Sequence, residues 1–251
     1  MVAKRIIPCL DVKNGQVVKG INFEGLREVG DPVAMGAQYS AEGADELVYL
    51  DISASAEGRA TFTALVKDIA RHINIPFTVG GGIGSLEHAS RLLEAGADKI
   101  SVNSAAVARP ELIDEIASYY GNQFVVCAID ARCIDGVWHA TTHGGTRPSD
   151  KELFSWAHEV QERGAGEILF TSMDHDGTKS GYPCDVYARL CDSLSIPVIA
   201  SGGAGCTAHI ADVLTLGKAD AALAASIFHY GEIRIKDLKQ ELMSRNISVR
   251  I

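Results

Sequence analysis

The sequence of 251 residues lacks a long apolar run and an excess of basic residues, and its cysteines show no paired spacing. Without about 20 consecutive apolar residues, a membrane-spanning helix is not expected. A basic segment followed by an apolar one, as in secretion signals, is also missing. The net charge of −9 disfavours nonspecific nucleic-acid binding. What is present, a hydrophobic fraction of 47%, predicts a globular protein with a large core.

The six cysteines, at positions 9, 127, 133, 184, 191 and 206, form no C-x-x-C motif. Cys9 and Cys127 lie within apolar segments that are typical of strands. This distribution favours reduced, buried thiols over a disulfide framework or a metal site. We therefore expect a cytoplasmic protein without a bound metal or cofactor.

Two segments combine a short apolar strand with a glycine turn. The first, 75–85, contains Gly80-Gly81-Gly82, and the second, 196–207, contains Gly202-Gly203. Glycine permits a sharp turn and a close approach of the backbone to a ligand. The first turn of the following helix favours an anion. One such loop could be only a tight turn, but two in equivalent positions indicate phosphate binding.

The two glycine segments belong to a longer internal repeat. Gly82 is matched by Gly203 at an offset of 121 residues, and the offset from Asp11 to Asp130 is 119. Each half holds about four strand–helix pairs, so we predict an α/β fold. The expected architecture is a single (βα)8 TIM barrel over residues 1–251, built from duplicated half-barrels at about 1–122 and 123–251. Glycine loops alone leave an open doubly wound sheet possible, but eight strands in two equivalent sets favour closure.

Alternation of apolar and helical segments predicts the parallel strands. We expect strands at 5–10, 46–51, 77–79, 99–102, 124–129, 167–172, 198–201 and 221–225. We expect helices at 31–43, 60–72, 86–95, 110–120, 151–163, 186–194, 208–216 and 233–245. The polar segment 12–30 is longer than a routine connection and is expected to act as a lid. A hairpin is expected over 132–142.

Asp11 and Asp130 end the first and fifth strands, which are opposite each other in an eight-stranded ring. Catalytic groups of such barrels come from the carboxyl ends of strands. The pair can therefore act as general acid and general base, although each could instead cap a helix or brace a loop. Asp176 is a third candidate, with an ordinary Asp-Gly turn as the alternative. Asp51, at the end of the second strand, is expected to contact residues of the site rather than the substrate itself.

Charged residues are also expected at the opposite end of the barrel. Side-chain alternation turns Arg5 inward together with Asp11, and Lys99 begins the fourth strand on an inward face. Glu46 and Glu167 begin their strands on faces that could also point inward. A ring of mixed sign can form ion pairs, but the residues alone favour solvated charges at strand starts.

Taken together, these motifs resemble the cyclase subunits of imidazole glycerol phosphate synthase, a family of the histidine pathway. The resemblance covers essentially the whole chain. It is carried by 5–13, 17–23, 79–83, 101–104, 128–130, 176–182, 200–203 and 222–226. His175, Gln16 and the pair Cys206-Thr207 depart from it, because a basic residue is commoner at each place.

The resemblance implies a substrate with a phosphate at each end, phosphoribulosyl-formimino-AICAR phosphate. Ammonia joins it, and cleavage gives imidazole glycerol phosphate and AICAR nucleotide. Asp11 and Asp130 are implied as the acid–base pair, and Lys19 belongs to the mobile loop after the first strand. The implied phosphate-binding residues are Gly82, Asn103 and Ser104 at one end and Asp176, Gly177, Gly203, Ala224, Ala225 and Ser226 at the other.

The resemblance also implies a partner. Ammonia would come from a separate glutaminase subunit docked on the N-terminal face of the barrel, and this chain is expected to lack a glutaminase domain. The charged ring would then gate the ammonia, and Asp98 beside it would face the partner. The implied gate residues are Arg5, Glu46, Lys99 and Glu167.

Other functions stay open at this point. The sister isomerase of the same pathway uses a similar aspartate pair on the preceding bis-phosphate, but it needs no ammonia gate. A noncatalytic phosphate-ligand sensor is disfavoured because both aspartates and both glycine loops are retained. A paralogue could perform the same chemistry in another pathway, such as surface-sugar synthesis.

Overall fold

The structure, a computed structural model, describes residues 2–21, 24–52 and 56–251. The strands are β1 (Arg5–Lys13), β2 (Gln16–Ile21), β3 (Glu24–Gly30), β4 (Leu47–Asp51), β5 (Phe77–Gly80), β6 (Lys99–Val102), β7 (Val125–Ile134), β8 (Val137–Thr142), β9 (Arg147–Glu152), β10 (Glu167–Ser172), β11 (Val198–Ser201) and β12 (Ala221–Ala224). The helices are α1 (Pro32–Ala41), α2 (Ala56–His72), α3 (Leu86–Glu94), α4 (Ser104–Ala108), α5 (Glu111–Tyr120), α6 (Leu153–Glu162), α7 (Cys184–Ser193), α8 (Thr207–Thr215), α9 (Ser226–His229) and α10 (Ile235–Ser244). Asn22 and Phe23, within one segment that carries the resemblance, lie outside the described residues.

Eight of the strands close into a barrel. Their order is β1, β4, β5, β6, β7, β10, β11 and β12, and β12 pairs again with β1. Every neighbouring pair is parallel, because the chain returns through a helix on the outside between successive strands. The predicted (βα)8 TIM barrel is confirmed, and β1 and β7 lie opposite each other in the ring.

The core has two layers because the barrel strands are buried on both faces. One layer packs between the sheet and the helices and contains the fully buried Trp156, Tyr49 and Tyr187. The other fills the barrel with Ile7, Cys9, Val48, Val126, Leu169, Ile199, Ala221 and Leu223. Parallel strands with two buried faces are nearly continuous apolar segments, and this is why their positions could be predicted from the sequence. The predicted burial of the Cys9 and Cys127 thiols is confirmed.

Two helix starts follow from their capping residues. The Asp31 carboxylate accepts a hydrogen bond from the Ala34 N–H at 2.8 Å, and Pro32 occupies the first turn of α1. Ser85 accepts one from the His88 N–H at 3.3 Å at the start of α3. Among the described helices, each is too short or too polar to cross a lipid bilayer.

The segment 12–30 differs from its prediction as a loop. β1 continues to Lys13, turns at Asn14-Gly15 and pairs with β2 in an antiparallel hairpin, to which β3 is added. The turn residues have φ of 52° and 78°, the left-handed values that an Asn-Gly hairpin turn requires. An Asn-Gly pair followed by buried Val17 and Val18 is the signal that identifies this hairpin.

The predicted hairpin after the fifth strand is confirmed. β7 turns at Asp135-Gly136, with φ of 49° and 82°, into the antiparallel strand β8. The added strand β9 and the short helix α4 were not predicted. β9 is polar and contains Pro148, so it lacks the alternating pattern of a strand.

The two halves of the barrel share further backbone details. The Asp98 carboxylate accepts a hydrogen bond from the Phe77 N–H at 3.0 Å, and Asp220 accepts one from the Val198 N–H at 3.0 Å. The short helices α4 and α9 follow residues with similar backbone angles, φ −134° and ψ −96° before α4 and φ −125° and ψ −76° before α9. The repeat seen in the sequence therefore extends to the local geometry.

Candidate active site

A cavity of about 850 Å³ opens at the carboxyl ends of the barrel strands. All twelve residues predicted to act in catalysis or to bind substrate and phosphate line it: Asp11, Lys19, Gly82, Asn103, Ser104, Asp130, Asp176, Gly177, Gly203, Ala224, Ala225 and Ser226. Asp51 also lines the cavity, and its expected role as a support of the site stays a prediction. β4 is one residue shorter at its start than predicted, and its last residue, Asp51, reaches the wall.

The glycine loops are built so that a side chain is excluded. At Gly81, φ is 105° and an added Cβ would lie 2.1 Å from the Asp51 carbonyl oxygen. At Gly202, φ is 85° and the Cβ would lie 2.5 Å from the Ser172 carbonyl oxygen. Both features require glycine, because L residues rarely adopt these angles and the space is filled by backbone. Each loop is thereby held against the end of the preceding barrel strand.

Asp11 lies in β1, two residues before its end, and lines the cavity with only 5% of its surface exposed. Lys19, from β2, places its Nζ 3.4 Å from the Asp11 Oδ2. Burial, reinforced by the nearby Asp176 carboxylate, raises the pKa of Asp11, while Lys19 opposes the rise. The β1–β2 hairpin therefore brings a lysine to this aspartate that offsets part of the effect of its burial.

Asp130 has a different set of neighbours. Its Oδ2 accepts a hydrogen bond from the Asn103 Nδ2 at 2.8 Å. Loss of hydration raises its pKa to about 6, with Asp176 and Asp11 adding to the rise and hydrogen bonds from Thr171 and Asn103 opposing it. A carboxyl group with this pKa exchanges its proton near neutral pH, as a general acid or base must.

The turn after β10 carries Asp176 and Gly177. The Asp176 N–H donates to the Ser172 carbonyl at 2.9 Å, which holds the turn against the strand end. His175 points the other way, because its Nδ1 lies 2.8 Å from the Ser172 hydroxyl. His175 and Cys206 are both absent from the cavity lining.

The loop between β8 and β9 was missed by the sequence reasoning, although His143, Gly144 and Thr146 line the cavity. The backbone N–H of His143 donates to the Ser104 hydroxyl at 3.0 Å, so the loop is joined to the first of the two regions predicted to bind phosphate. In the sequence, the pair Gly144-Gly145 directly after the predicted hairpin could have indicated this loop.

The four predicted gate residues meet at the other end of the barrel. Arg5 Nη1 lies 2.6 Å from Glu46 Oε1 and 3.1 Å from Glu167 Oε2. Lys99 Nζ lies 3.0 Å from Glu46 Oε2 and 2.7 Å from Glu167 Oε1. Their side chains are 8–15% exposed. Solvated strand-start charges, the expectation from the residues alone, are therefore wrong: inward-facing strand starts bring opposite charges into a closed ring.

Within this ring, ion pairing outweighs the effect of burial on the pKa values of Glu46 and Arg5. Burial opposes the charged form of Glu46, but Arg5 and Lys99 outweigh it, and the pKa of Glu46 lies below its ordinary value. Burial likewise opposes the charge of Arg5, yet Glu167 and Glu46 raise its pKa. Asp98 is exposed at the same end of the barrel. The ring is thus stable in its charged form.

Clusters of three or more potential metal ligands (His, Cys, Asp or Glu) do not occur among the described residues. The polar groups that line the cavity are carboxylates, lysines, hydroxyls, the Cys9 thiol, an asparagine amide and an imidazole.

The family of histidine biosynthesis proteins matches residues 5–234. The chain belongs to this family. It is 63% identical over 251 residues to the imidazole glycerol phosphate synthase subunit HisF of Parabacteroides distasonis, with all of both chains covered. It is 60% identical over 251 residues to the subunit of the same name from Phocaeicola vulgatus, and 61% identical over 250 residues to that of Bacteroides thetaiotaomicron, again with complete coverage. The resemblance predicted from the motifs is confirmed.

Proposed function

We propose that this chain is the cyclase subunit of imidazole glycerol phosphate synthase. It uses ammonia to convert phosphoribulosyl-formimino-AICAR phosphate into imidazole glycerol phosphate and AICAR nucleotide in histidine biosynthesis. The observation that carries the proposal is one cavity in which two buried aspartates with raised pKa lie between two equivalent glycine loops. Full-length relatives named as synthase subunits support the cyclase and disfavour the isomerase.

The two glycine loops bind the two phosphates of the substrate. Gly82, Asn103 and Ser104 bind one, while the remaining substrate residues, from the second half of the barrel, bind the other. Backbone N–H groups suit this task because the chain has a net charge of −9 and few cationic side chains in the cavity. Such binding fixes both ends of the substrate and positions its reacting centre between Asp11 and Asp130.

Asp130 acts first as the acid. With a pKa of about 6 it keeps a proton on a useful fraction of molecules at neutral pH and donates it to the carbonyl or imine that ammonia attacks. Asp11 has Lys19 at 3.4 Å, which favours its ionised form. Asp11 therefore removes protons during ring closure and cleavage.

The ring of Arg5, Glu46, Lys99 and Glu167 gates the entry of ammonia. Behind it, apolar side chains of the inner layer extend to Leu169 and Leu223, which line the cavity, with the buried hydroxyls of Thr78 and Ser101 among them. Neutral ammonia crosses such an interior much more readily than ammonium, because burying an unpaired charge is costly. The ring therefore separates the solvent from an apolar path to the active site.

A glutaminase subunit docks on this N-terminal face and supplies the ammonia. Helix ends on the face carry exposed apolar side chains: Leu93 is 39% exposed, Tyr119 71%, Leu216 67% and Met243 49%. They lie at or next to the C-terminal ends of α3, α5, α8 and α10, and exposed apolar side chains of this kind suit a protein interface. We further propose that the enzyme is cytoplasmic and that residues 1–122 and 123–251 are two copies of one half-barrel.

The first test is turnover of the bis-phosphate with ammonium salt at alkaline pH, without a partner. We expect imidazole glycerol phosphate and AICAR nucleotide in equal amounts. With glutamine in place of ammonium, turnover should require the added glutaminase subunit. A folded protein that binds the substrate but does not turn it over would contradict the proposal, and conversion of the preceding bis-phosphate would favour the isomerase.

A further inference from the structure

The second of the two regions predicted to bind phosphate is assembled from three separate segments. The turn after β10 contributes Asp176 and Gly177, and the loop after β11 contributes Gly203. The segment that begins α9 contributes Ala225 and Ser226. A phosphate that contacts all three segments is bound well only when they are held at a fixed separation.

The turn after β10 is tied at both ends by backbone hydrogen bonds. At its start, the Asp176 N–H donates to the Ser172 carbonyl at 2.9 Å. At its end, the Gly181 N–H donates to the Gly203 carbonyl at 2.9 Å. Lys179 lies between these two bonds and has φ of 57°, a left-handed value. Contacts made by Lys179 hold the middle of the turn.

Lys179 makes these contacts on two sides. An added Cβ at Gly205 would overlap the Lys179 carbonyl oxygen, so the backbone of the turn packs closely on the loop after β11. The Lys179 Nζ lies 2.5 and 2.7 Å from the two carboxylate oxygens of Glu232. The two side chains are 40% and 39% exposed, so their ion pair lies at the surface of the protein.

Glu232 belongs to the same compact segment as the start of α9. The Tyr230 N–H donates to the Ser226 carbonyl at 3.0 Å. Ile233, the residue after Glu232, donates its N–H to the Ile227 carbonyl at 3.0 Å. The ion pair therefore joins the turn after β10 to the segment that carries the last residues of this predicted phosphate site.

We propose that Lys179 and Glu232 are positioning residues, whose ion pair holds the Asp176–Gly177 turn next to the segment that begins α9. The pair thereby fixes the separation that one phosphate of the substrate requires. Neither residue lines the cavity, so the pair acts through the two segments that carry it and does not touch the phosphate. This inference rests on the proposed function.

A double-mutant cycle tests the ion pair. We expect Glu232→Gln and Lys179→Met each to raise KM for the bis-phosphate about fivefold, with kcat unchanged. The double variant should equal either single variant, because each substitution already removes the whole interaction. Asp192→Asn is the matched control, because it breaks an exposed ion pair with Lys218 that lies outside the cavity lining, and it should leave both constants unchanged.

Binding of the two products separates positioning from a general change in the protein, because each product carries a single phosphate. In calorimetric titrations, Glu232→Gln should weaken either imidazole glycerol phosphate or AICAR nucleotide about fivefold and leave the other unchanged. Equal weakening of both products, additive effects of the two substitutions, or an unchanged KM would overturn the proposal.

Tighter binding by Glu232→Gln would also overturn it, because a Lys179 freed from its partner would then bind the phosphate itself. A wild-type protein without turnover would instead contradict the proposed function. The product titrations would still decide the role of the ion pair in that case, because they do not depend on turnover.

Discussion

The two ends of the barrel contain buried carboxylates with opposite behaviour. At the N-terminal mouth, Glu46 has a lowered pKa because Arg5 and Lys99 outweigh its burial. In the cavity, Asp130 has a pKa raised to about 6 because burial and nearby carboxylates outweigh its hydrogen bonds. The same type of side chain is thus fixed in its charged form at one end and able to exchange a proton at the other. Since both groups are buried, the balance of neighbouring cations and anions decides which carboxyl group stays charged and which can exchange a proton.

The backbone also differs between the two ends of the barrel. At the N-terminal end, side chains such as Asp98 and Asp220 bind the first N–H groups of strands, which fixes the strand starts. At the cavity end, Gly81 and Gly202 have left-handed angles and press against strand carbonyls. Strain and exposed N–H groups therefore lie where a ligand can use them.

The largest effect should come from Asp11→Asn. The amide keeps the shape but can no longer accept a proton, so we expect kcat to fall by about a thousandfold while substrate affinity is retained. Steady-state turnover with ammonium and calorimetric titration with the substrate measure the two quantities. Asp150→Asn, an exposed change on β9, should behave as wild type. Loss of substrate binding by Asp11→Asn in an intact barrel would count against a catalytic role.

Gly81→Ala should cost more stability than the same change at a glycine whose Cβ would meet open space. The new Cβ would lie 2.1 Å from the Asp51 carbonyl oxygen at a φ of 105°, so both the clash and the backbone oppose it. We expect a loss of about 3 kcal/mol or more in the free energy of unfolding. Gly136→Ala is the control, because its φ is 82° but its Cβ would meet open space, and about 1 kcal/mol is expected. Denaturant melts that give equal losses would refute the close-packing explanation.

Much of the fold could be predicted from the sequence, because barrel strands are apolar and bounded by turn residues. Lys99–Val102, Glu167–Ser172 and Val198–Ser201 begin and end as predicted. β9 was missed because its residues are polar, and its pairing is set by the neighbouring hairpin rather than by a pattern of its own.

Much of the candidate site was also predicted, because residues at strand ends converge in any closed barrel. Distances that depend on several strands at once could not be predicted. The ring around Arg5 requires the strand stagger of the closed barrel, so the residues alone pointed to solvated charges. His143 reaches the cavity only because β8 and β9 fold back over α4. Such contacts arise from tertiary placement, and a local signal such as Gly144-Gly145 predicts a turn but not what the turn contacts.

Lys99→Met should break the paired end of the barrel. It leaves Glu46 and Glu167 to share Arg5, so we expect a loss of about 2–4 kcal/mol in the free energy of unfolding. In the complex with a glutaminase, product formed per glutamine hydrolysed should also fall, because ammonia escapes through an open mouth.

The control for this change is Lys218→Met. Lys218 lies 2.6 Å from the Asp192 carboxylate, but the two side chains are 52% and 60% exposed. Its removal should change stability by less than about 1 kcal/mol, because exposed ion pairs contribute little. If both lysine variants lose the same stability, burial does not distinguish the ring from an ordinary surface pair.

The smallest effect, and the one that compares the two ends most directly, is the pH dependence of stability. The pKa of Asp130 is about 6 when folded and 3.8 without its surroundings, so its charge opposes folding above pH 6 and has no effect below about pH 4. Asp130→Asn should therefore raise the free energy of unfolding at pH 8, by at most about 3 kcal/mol, and leave it unchanged at pH 4.

Glu46→Gln should change the free energy of unfolding in the opposite direction to Asp130→Asn. Because the folded pKa of Glu46 is lowered, its contribution is present above the ordinary value of 4.5 and is lost as the pH falls through the folded value. The variant should thus be less stable than wild type at pH 8, and the difference should shrink in acid. Urea melts of both variants at pH 4 and pH 8 measure the two slopes. Slopes of the same sign would mean that one of the two carboxylates does not have the environment described, and the contrast between a closed and a reactive end would fail.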